Sequence, residues 1–259
     1  MIVVKDVSKS FVNDERVLKN ISTVFHSGKI NQIIGQSGSG KTVLLKCIIG
    51  LHTPDSGDII YDGRNFAGLS KKEKMQVCSE IGMLFQGSAL FDSLTILENV
   101  MFPLTMFSDK TDKEQQNRAR FCLERVGLNN TGDLYPSELS GGMQKRAAIA
   151  RAISLNPKYL FCDEPNSGLD PLSAIKIDEL IVELTKEFQM TTIINTHDLN
   201  SVLSVGEQIV FIHKGVKAWE GPKEKIFVSG CPELNEFIFA SEMFEKFRLN
   251  LISEQSGQS

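Results

Sequence analysis

Gly35-Gln36-Ser37-Gly38-Ser39-Gly40-Lys41-Thr42 decides how the rest of this chain is read. The eight residues fit the pattern G-x-x-x-x-G-K-[ST] in every place, after an apolar strand, Ile30 to Ile34, and before a helix that starts at Lys41. Glycines at these places let successive backbone N–H groups turn toward one point. That makes an anion nest, and the N-terminus of the following helix reinforces it. Lys41 adds a point charge for the β- and γ-phosphates of a nucleotide, and the Thr42 hydroxyl is placed to ligate Mg²⁺. A glycine-rich turn without chemistry is the competing reading, and strand, pattern and helix in register speak against it.

A second stretch supplies the carboxylates that such a cradle needs. Tyr159-Leu160-Phe161-Cys162-Asp163-Glu164 is an apolar strand ending in two acids, a Walker B pattern to go with a Walker A loop. Asp163 is placed to hold Mg²⁺ directly or through water. Glu164 points off the strand end toward a γ-phosphate, where a carboxylate can orient and deprotonate an attacking water. A solvated acidic turn before Pro165 is the bland alternative.

Outward from these two motifs, strands and helices alternate. Ile2 to Val4, Val17 to Phe25 and Ile30 to Ile34 read as strands, broken by the turn Ser27-Gly28. A helix runs from Lys41 to Ile49 and stops at Gly50. Gly57 to Tyr61 is a strand with a turn at Asp62-Gly63. Ser70 with Glu73, and Thr111 with Glu114, form capping boxes that open two helices, and Ile81 to Phe85 is a strand between them. A further helix follows Ser140. Pro171 opens another, with Ile177, Leu180, Ile181, Leu184 and Phe188 as its apolar stripe. Thr191 to Thr196 is a strand, and Gln208 to Ile212 pairs with Val216 to Trp219 across Lys214-Gly215. The alternation predicts an α/β fold with a mostly parallel sheet, interrupted by a helical insertion from about residue 88 to about residue 155.

Composition narrows the class. The chain has 259 residues, 41% hydrophobic and 23% charged, which excludes wholesale disorder. Its net charge of −4 lacks the basic field of a nucleic-acid binder, so no nucleic-acid partner is expected. No run of about 18 apolar residues reads as a membrane span, and the start of the chain does not read as a signal peptide. Five widely spaced cysteines fit buried thiols in a reducing compartment better than disulfides or a zinc site. The reading is of a soluble, cytoplasmic chain.

Leu139-Ser140-Gly141-Gly142-Met143-Gln144 narrows it further: a second helix N-terminus preceded by two glycines is itself a phosphate-binding device. With both Walker motifs in this order, residues 1–221 resemble the nucleotide-binding subunit of an ATP-binding cassette (ABC) transporter, an ATPase of the P-loop NTPase class. The resemblance implies an N-terminal antiparallel β subdomain, a mostly parallel sheet and an inserted helical subdomain, with residues 222–259 as a tail. It implies a homodimer packed head to tail, in which Ser140, Gly141, Gly142 and Asp170 of one copy meet ATP held by the other. Gln86 fits the Q-loop glutamine that contacts Mg²⁺ and the lytic water. Ser167-Gly168-Leu169-Asp170 fits the D-loop that reaches across the dimer, and His197 fits the switch histidine that steadies Glu164. Phe11 lies where the family places an adenine-stacking aromatic, with a buried core Phe as the competing reading. His26, His52 and His213 read as structural. Two departures from the family pattern stand out: Asn166, where Thr or a bulky apolar residue is more familiar, and Met143 in place of Gln. Neither removes a catalytic group.

An ATPase without membrane spans needs a separate permease. The resemblance docks one near the Q-loop and the helical insertion, on Gly82 to Thr95 and Asn99 to Leu104, rich in Met, Phe and Leu. Gly82 to Leu94 together with Tyr135 to Met143 resemble the ATPases of Mla-type (MCE-linked) phospholipid transporters of the Gram-negative envelope, with amino-acid importer ATPases as the nearest rivals; Gly87-Ser88-Ala89-Leu90-Phe91 and Gly142-Met143 lean toward lipid. This implies a peripheral position on the cytoplasmic face of the inner membrane and an MCE-type substrate-binding partner. A soluble ABC protein serving nucleic acid or the ribosome fits poorly, because there is a single Walker A and no heptad run. The tail holds five of the sixteen Phe, at 227, 237, 239, 244 and 247, so it buries something. Folding back on its own domain and gripping a second subunit through Glu233 to Phe247 are the two readings.

Overall fold

The computed structural model describes residues 1–11 and 16–240. Two sheets and an inserted helical layer make up the architecture. The first sheet is antiparallel, formed by β1 (Ile2–Ser10), β2 (Arg16–Phe25), β4 (Ser56–Tyr61) and β5 (Arg64–Asn65) in the order β2-β1-β4-β5. Asp62 and Gly63, with φ of 45° and 83°, supply the turn between β4 and β5.

The second sheet has six strands. They are β3 (Ile30–Ile34), β6 (Ile81–Leu84), β7 (Tyr159–Asp163), β8 (Thr191–Thr196), β9 (Gln208–His213) and β10 (Val216–Pro222), in the order β10-β9-β3-β8-β7-β6. All neighbours run parallel except the β9–β10 hairpin, which turns at Lys214-Gly215. The strands β3, β7 and β8 are buried along their whole length, as continuous apolar runs covered on both faces must be.

Most of the described α-helices begin where a side chain supplies a cap. Ser70 and Glu73 close a reciprocal capping box on α2 (Lys71–Ser79), and Thr111 with Glu114 does the same on α4 (Asp112–Arg125). The helix α1 (Lys41–Ile48) follows the glycine loop directly. The insertion holds α3 (Ile96–Phe107), α4 and α5 (Gly141–Ala152), whose inner faces pack with α6 (Pro171–Phe188) around Val100, Cys122, Ala148 and Ile181. A second core joins β1, β2 and α1 to the large sheet through Ile33, Leu45, Tyr61 and Phe161.

The elements differ from the sequence reading in three places. The helix α3 lies in what reads as an apolar docking stretch; a capping box between Thr95 and Glu98 starts it, and Pro103 sits inside it. The short helix α7 (Leu199–Val205), capped by Asp198, is absent from the sequence reading. The strand before Gln86 ends at Leu84, one residue short of the expected Phe85, whereas the strand before Glu164 ends at Asp163 as the Walker B reading expects. Phe11 is 43% exposed, against the competing reading of a buried core residue.

The described part of the tail packs on its own chain. A 3₁₀ turn (Lys223–Val228) and α8 (Pro232–Phe239) bury Ile226, Leu234 and Ile238 against Ile34, Val202 and Phe211. Phe237 lies 5.5 Å from Phe211, ring to ring. Phe244 and Phe247 lie outside the described residues.

Candidate functional site

The loop between β3 and α1 needs its glycines for identifiable reasons. Gly35 has φ of 150°, and a Cβ there would lie 2.2 Å from the backbone oxygen of Ile212 on β9. Gly40 caps α1 with φ of 106°, beyond the reach of ordinary L-residues. The β9–β10 hairpin holds the loop from the other side, Gly215 N donating to Ser39 O at 3.0 Å.

Lys41 is curled into this loop. Its Nζ donates to Gly35 O at 2.9 Å and to Gln36 O at 3.0 Å. Burial lowers its pKa, opposed by the nearby charges of Glu164 and Asp163. Ser39 Oγ is buried with no hydrogen-bond partner among the described residues. A buried hydroxyl left unpaired is costly unless a ligand completes it. An anionic ligand in the nest supplies the missing partner, so the residues present fit a phosphate.

Next to the loop, Thr42 Oγ1 lies 3.5 Å from Asp163 Oδ1. A hydroxyl and a carboxylate are the hard oxygen donors that suit Mg²⁺. Asn195 on β8 ties the two together, Nδ2 donating to Thr42 Oγ1 at 3.1 Å and to Asp163 Oδ1. The sequence reading missed Asn195, and its only signal is an amide inside an otherwise apolar and hydroxyl-bearing strand.

Glu164 follows the last residue of β7 with φ of 49°, a left-handed conformation uncommon outside glycine and asparagine. Its N–H donates to Asn195 O at 2.8 Å, which turns the side chain off the sheet. There Glu164 Oε1 lies 2.9 Å from His197 Nδ1, with the carboxylate 14% and the imidazole 66% exposed. This pairing places a base beside a ring that can orient it. Gln86 Nε2 donates to Ser167 Oγ at 3.3 Å, and the Gln86 carbonyl accepts from the buried ammonium of Lys145. Lys145, on an alanine-rich helix, is another residue that no sequence pattern singled out.

One cleft of about 450 Å³ gathers Gly38, Gly40, Lys41, Thr42, Gln86, Glu164 and His197, with Val17 as an apolar wall. Phe11 does not line it. It stands at the end of β1 with its ring edge-on to His52 at 5.3 Å. Ser140 also lies elsewhere: its Oγ caps α5 by accepting from Met143 N at 3.3 Å, and with Gly142 it lines a separate cleft of about 370 Å³ beside Ser173 and Lys176. Gly141 is the first residue of α5. The Asp170 carboxylate caps α6, accepting from Leu172 N at 3.1 Å and Ser173 N at 3.0 Å.

Among the described residues, no helix is long and apolar enough to cross a membrane. The profile of the ABC transporter family matches residues 18–167. A Mycobacterium leprae protein described as "Probable ribonucleotide transport ATP-binding protein mkl" is 35% identical over 237 residues, covering 92% of this chain and 68% of that protein. The methionine import ATP-binding protein MetN of Desulfitobacterium hafniense is 34% identical over 265 residues, covering 100% of this chain and 78% of that protein. The solved dimeric structure of the ATP-binding cassette MJ0796, in a post-hydrolysis state bound to ADP and Pi, matches with a TM-score of 0.78 at 33% identity over 86% of this chain and 99% of that one. The chain belongs to the ABC transporter family, as an ATP-binding cassette subunit and an ATPase.

Proposed function

We propose that two copies of this chain close head to tail on two ATP molecules and so drive a phospholipid transporter of the Mla (MCE-linked) type. The observation that carries the hydrolytic part is the single cleft in which Lys41, Thr42, Gln86, Glu164 and His197 converge. The amides of Gly35, Gln36, Ser37, Gly38, Ser39 and Gly40 bind the phosphates, and Lys41 leaves its loop carbonyls for the γ-phosphate. Thr42, Asp163 and Gln86 hold Mg²⁺, which when bound neutralises charge on the phosphate oxygens. Glu164 takes the proton of the attacking water, and His197 keeps that carboxylate oriented. Phe11, exposed at the rim of the antiparallel sheet, stacks on adenine.

Ser140, Gly141, Gly142 and Asp170 act on the nucleotide of the other copy. The support is that Ser140 and Gly142 line a different cleft from the phosphate loop of their own chain, and that MJ0796 is solved as a dimer. In this reading the permease docks on an apolar groove of about 420 Å³ lined by Phe85, Ala89, Phe91, Phe102 and Phe107, with the chain peripheral on the cytoplasmic face of the inner membrane. Lipid is favoured by the wording of Gly87 to Phe91 and of Gly142-Met143. A second reading, an amino-acid importer, is favoured by the methionine-import relative that aligns with the whole chain.

Two measurements test this. Glu164→Gln lowers ATP turnover by roughly 10²- to 10⁴-fold, the usual worth of a general base, while ATP-dependent dimers persist by size-exclusion chromatography. Near-normal turnover would remove Glu164 from its role. Extraction of the purified subunit with its membrane partner separates the substrates: phospholipid co-purifies in the first reading, whereas methionine-dependent ATPase activity supports the second.

A further inference from the structure

Asn166 heads the segment that leads from Glu164 to α6. The backbone ties it to the catalytic carboxylate, Ser167 N donating to Glu164 O at 3.1 Å, and Gln86 reaches the same segment through Ser167. Asn166 Nδ2 donates to Asp178 Oδ1 at 3.0 Å. Asn166 Oδ1, however, is buried with no hydrogen-bond partner among the described residues. Asp178 is itself 5% exposed, on the inner face of α6.

A carboxylate and a carboxamide leave this account open, because both remaining oxygens are acceptors. A carboxylic acid closes it. Its O–H is the donor that Asn166 Oδ1 lacks, while its other oxygen accepts from Nδ2. Reversing the amide would bring two oxygens to that 3.0 Å separation, which also demands a proton between them. Facing Asp178 are Asn166 from the loop and Ser201 from α7, whose polar groups favour its carboxylate form, and Asp198 at the cap of α7 and the buried thiol of Cys162 on β7, which oppose that form. None is a cation, and burial, the largest influence, raises the pKa of Asp178 against the opposing pull of Asn166 and Ser201, with Asp198 adding to the rise.

We propose that Asp178 is a positioning residue for ATP hydrolysis, which in its protonated form clamps Asn166 by two hydrogen bonds and so fixes the segment carrying Ser167 and Asp170 beside Glu164. This rests on the hydrolytic role proposed for Glu164 and on segment 166–170 serving the closed dimer. The residue at 166 that departs from the family pattern is then one half of a buried pair.

Steady-state ATPase assays on the full chain, in the state in which the wild type turns over, test it with Asp178→Asn, Asp178→Ala and Asn166→Ala. Asparagine at 178 offers one N–H donor and one carbonyl in place of the neutral acid, so kcat stays within about threefold of wild type. Alanine at either position lowers kcat tenfold or more and leaves the KM for ATP within about threefold, since neither residue touches the nucleotide cleft. Raising the pH lowers kcat in the wild type more than in Asp178→Asn. The proposal is overturned if Asp178→Asn is as impaired as Asp178→Ala, or if Asn166→Ala turns over normally. Glu164→Gln run in parallel keeps the failures apart: an active Glu164→Gln sinks the hydrolytic assignment, whereas an inactive one beside a normal Asn166→Ala sinks only this inference.

Discussion

Replacing Arg151 by Met tests whether a buried guanidinium holds the proposed docking groove in shape. Arg151, at the end of α5, is 9% exposed and donates from Nη1 to Ala89 O at 2.6 Å and from Nη2 to Ser88 O at 2.8 Å. Those two acceptors belong to consecutive non-glycine residues with φ of 63° and 51°. Each left-handed residue costs about 1–2 kcal/mol, so the loop carries about 2–4 kcal/mol of strain. Two hydrogen bonds from a charged donor are worth about 1.5–3 kcal/mol each, or about 3–6 kcal/mol together. Methionine keeps the aliphatic volume and loses both bonds. Relaxation of residues 88 and 89 then returns most of the strain, which leaves a net loss of about 1–2 kcal/mol. For a chain of this size that is a fall in Tm of about 2–8 °C. Thermal unfolding followed by circular dichroism reads it, and limited proteolysis reads the release of residues 87–91. Affinity for the membrane partner falls by roughly tenfold, while nucleotide affinity, set chiefly by the phosphate loop after β3, stays within about twofold. An unchanged Tm together with unchanged protection of residues 87–91 would refute the reasoning, because it would mean the left-handed pair holds its shape unaided.

Asn195→Leu removes the amide that binds Thr42 and Asp163 together. The Mg²⁺ concentration for half-maximal turnover rises roughly 10- to 100-fold, the usual effect of losing a partner that orients metal ligands, and a Mg²⁺ titration of ATPase activity measures it. For Asp178, the sign follows from linkage: a carboxyl whose pKa is raised on folding binds more protons in the native state than in the unfolded one. Its stabilisation is complete below the unfolded value of about 3.9 and is lost as pH rises through the folded value. Urea midpoints measured across that range therefore fall with pH more steeply for the wild type than for Asp178→Asn, and parallel curves would exclude the shift.

What could be read from the sequence was what the backbone itself requires. Gly35 is legible because any side chain there meets a carbonyl of β9, and the boxes at Ser70 and Thr111 are legible because cap and partner lie three residues apart. The helix α3 escaped for the opposite reason. Its interior Pro103 and its Met, Phe and Leu content disguise a helix whose opening signal, Thr95 with Glu98, is present. Partners distant in the chain left no local trace. Asn195 meets Thr42 across 153 positions and Lys145 meets Gln86 across 59, so neither spacing repeats any short pattern.

The order of the large sheet explains why motifs so far apart form one cleft. The strands β3, β8, β7 and β6 are successive parallel neighbours, and at their carboxyl ends stand the phosphate loop, His197, Glu164 and Gln86 in that order. Ligands of open α/β sheets bind at that edge, where loops from adjacent strands face one another. The residues assigned to the other copy's nucleotide come from different places: Ser140, Gly141 and Gly142 from the inserted helices, Asp170 from the cap of α6. Strand ends thus supply one of these sets and helix N-termini the other, and the clefts that hold Lys41 and Ser140 are distinct. Under the head-to-tail proposal, hydrolysis needs the P-loop of one copy and the α5 terminus of the other. A chain defective only at Ser140 and a chain defective only at Lys41 would therefore form, when mixed, one site with both lesions and one with neither. Recovery of turnover in that mixture, absent from either variant alone, is the outcome that a self-sufficient monomer could not produce.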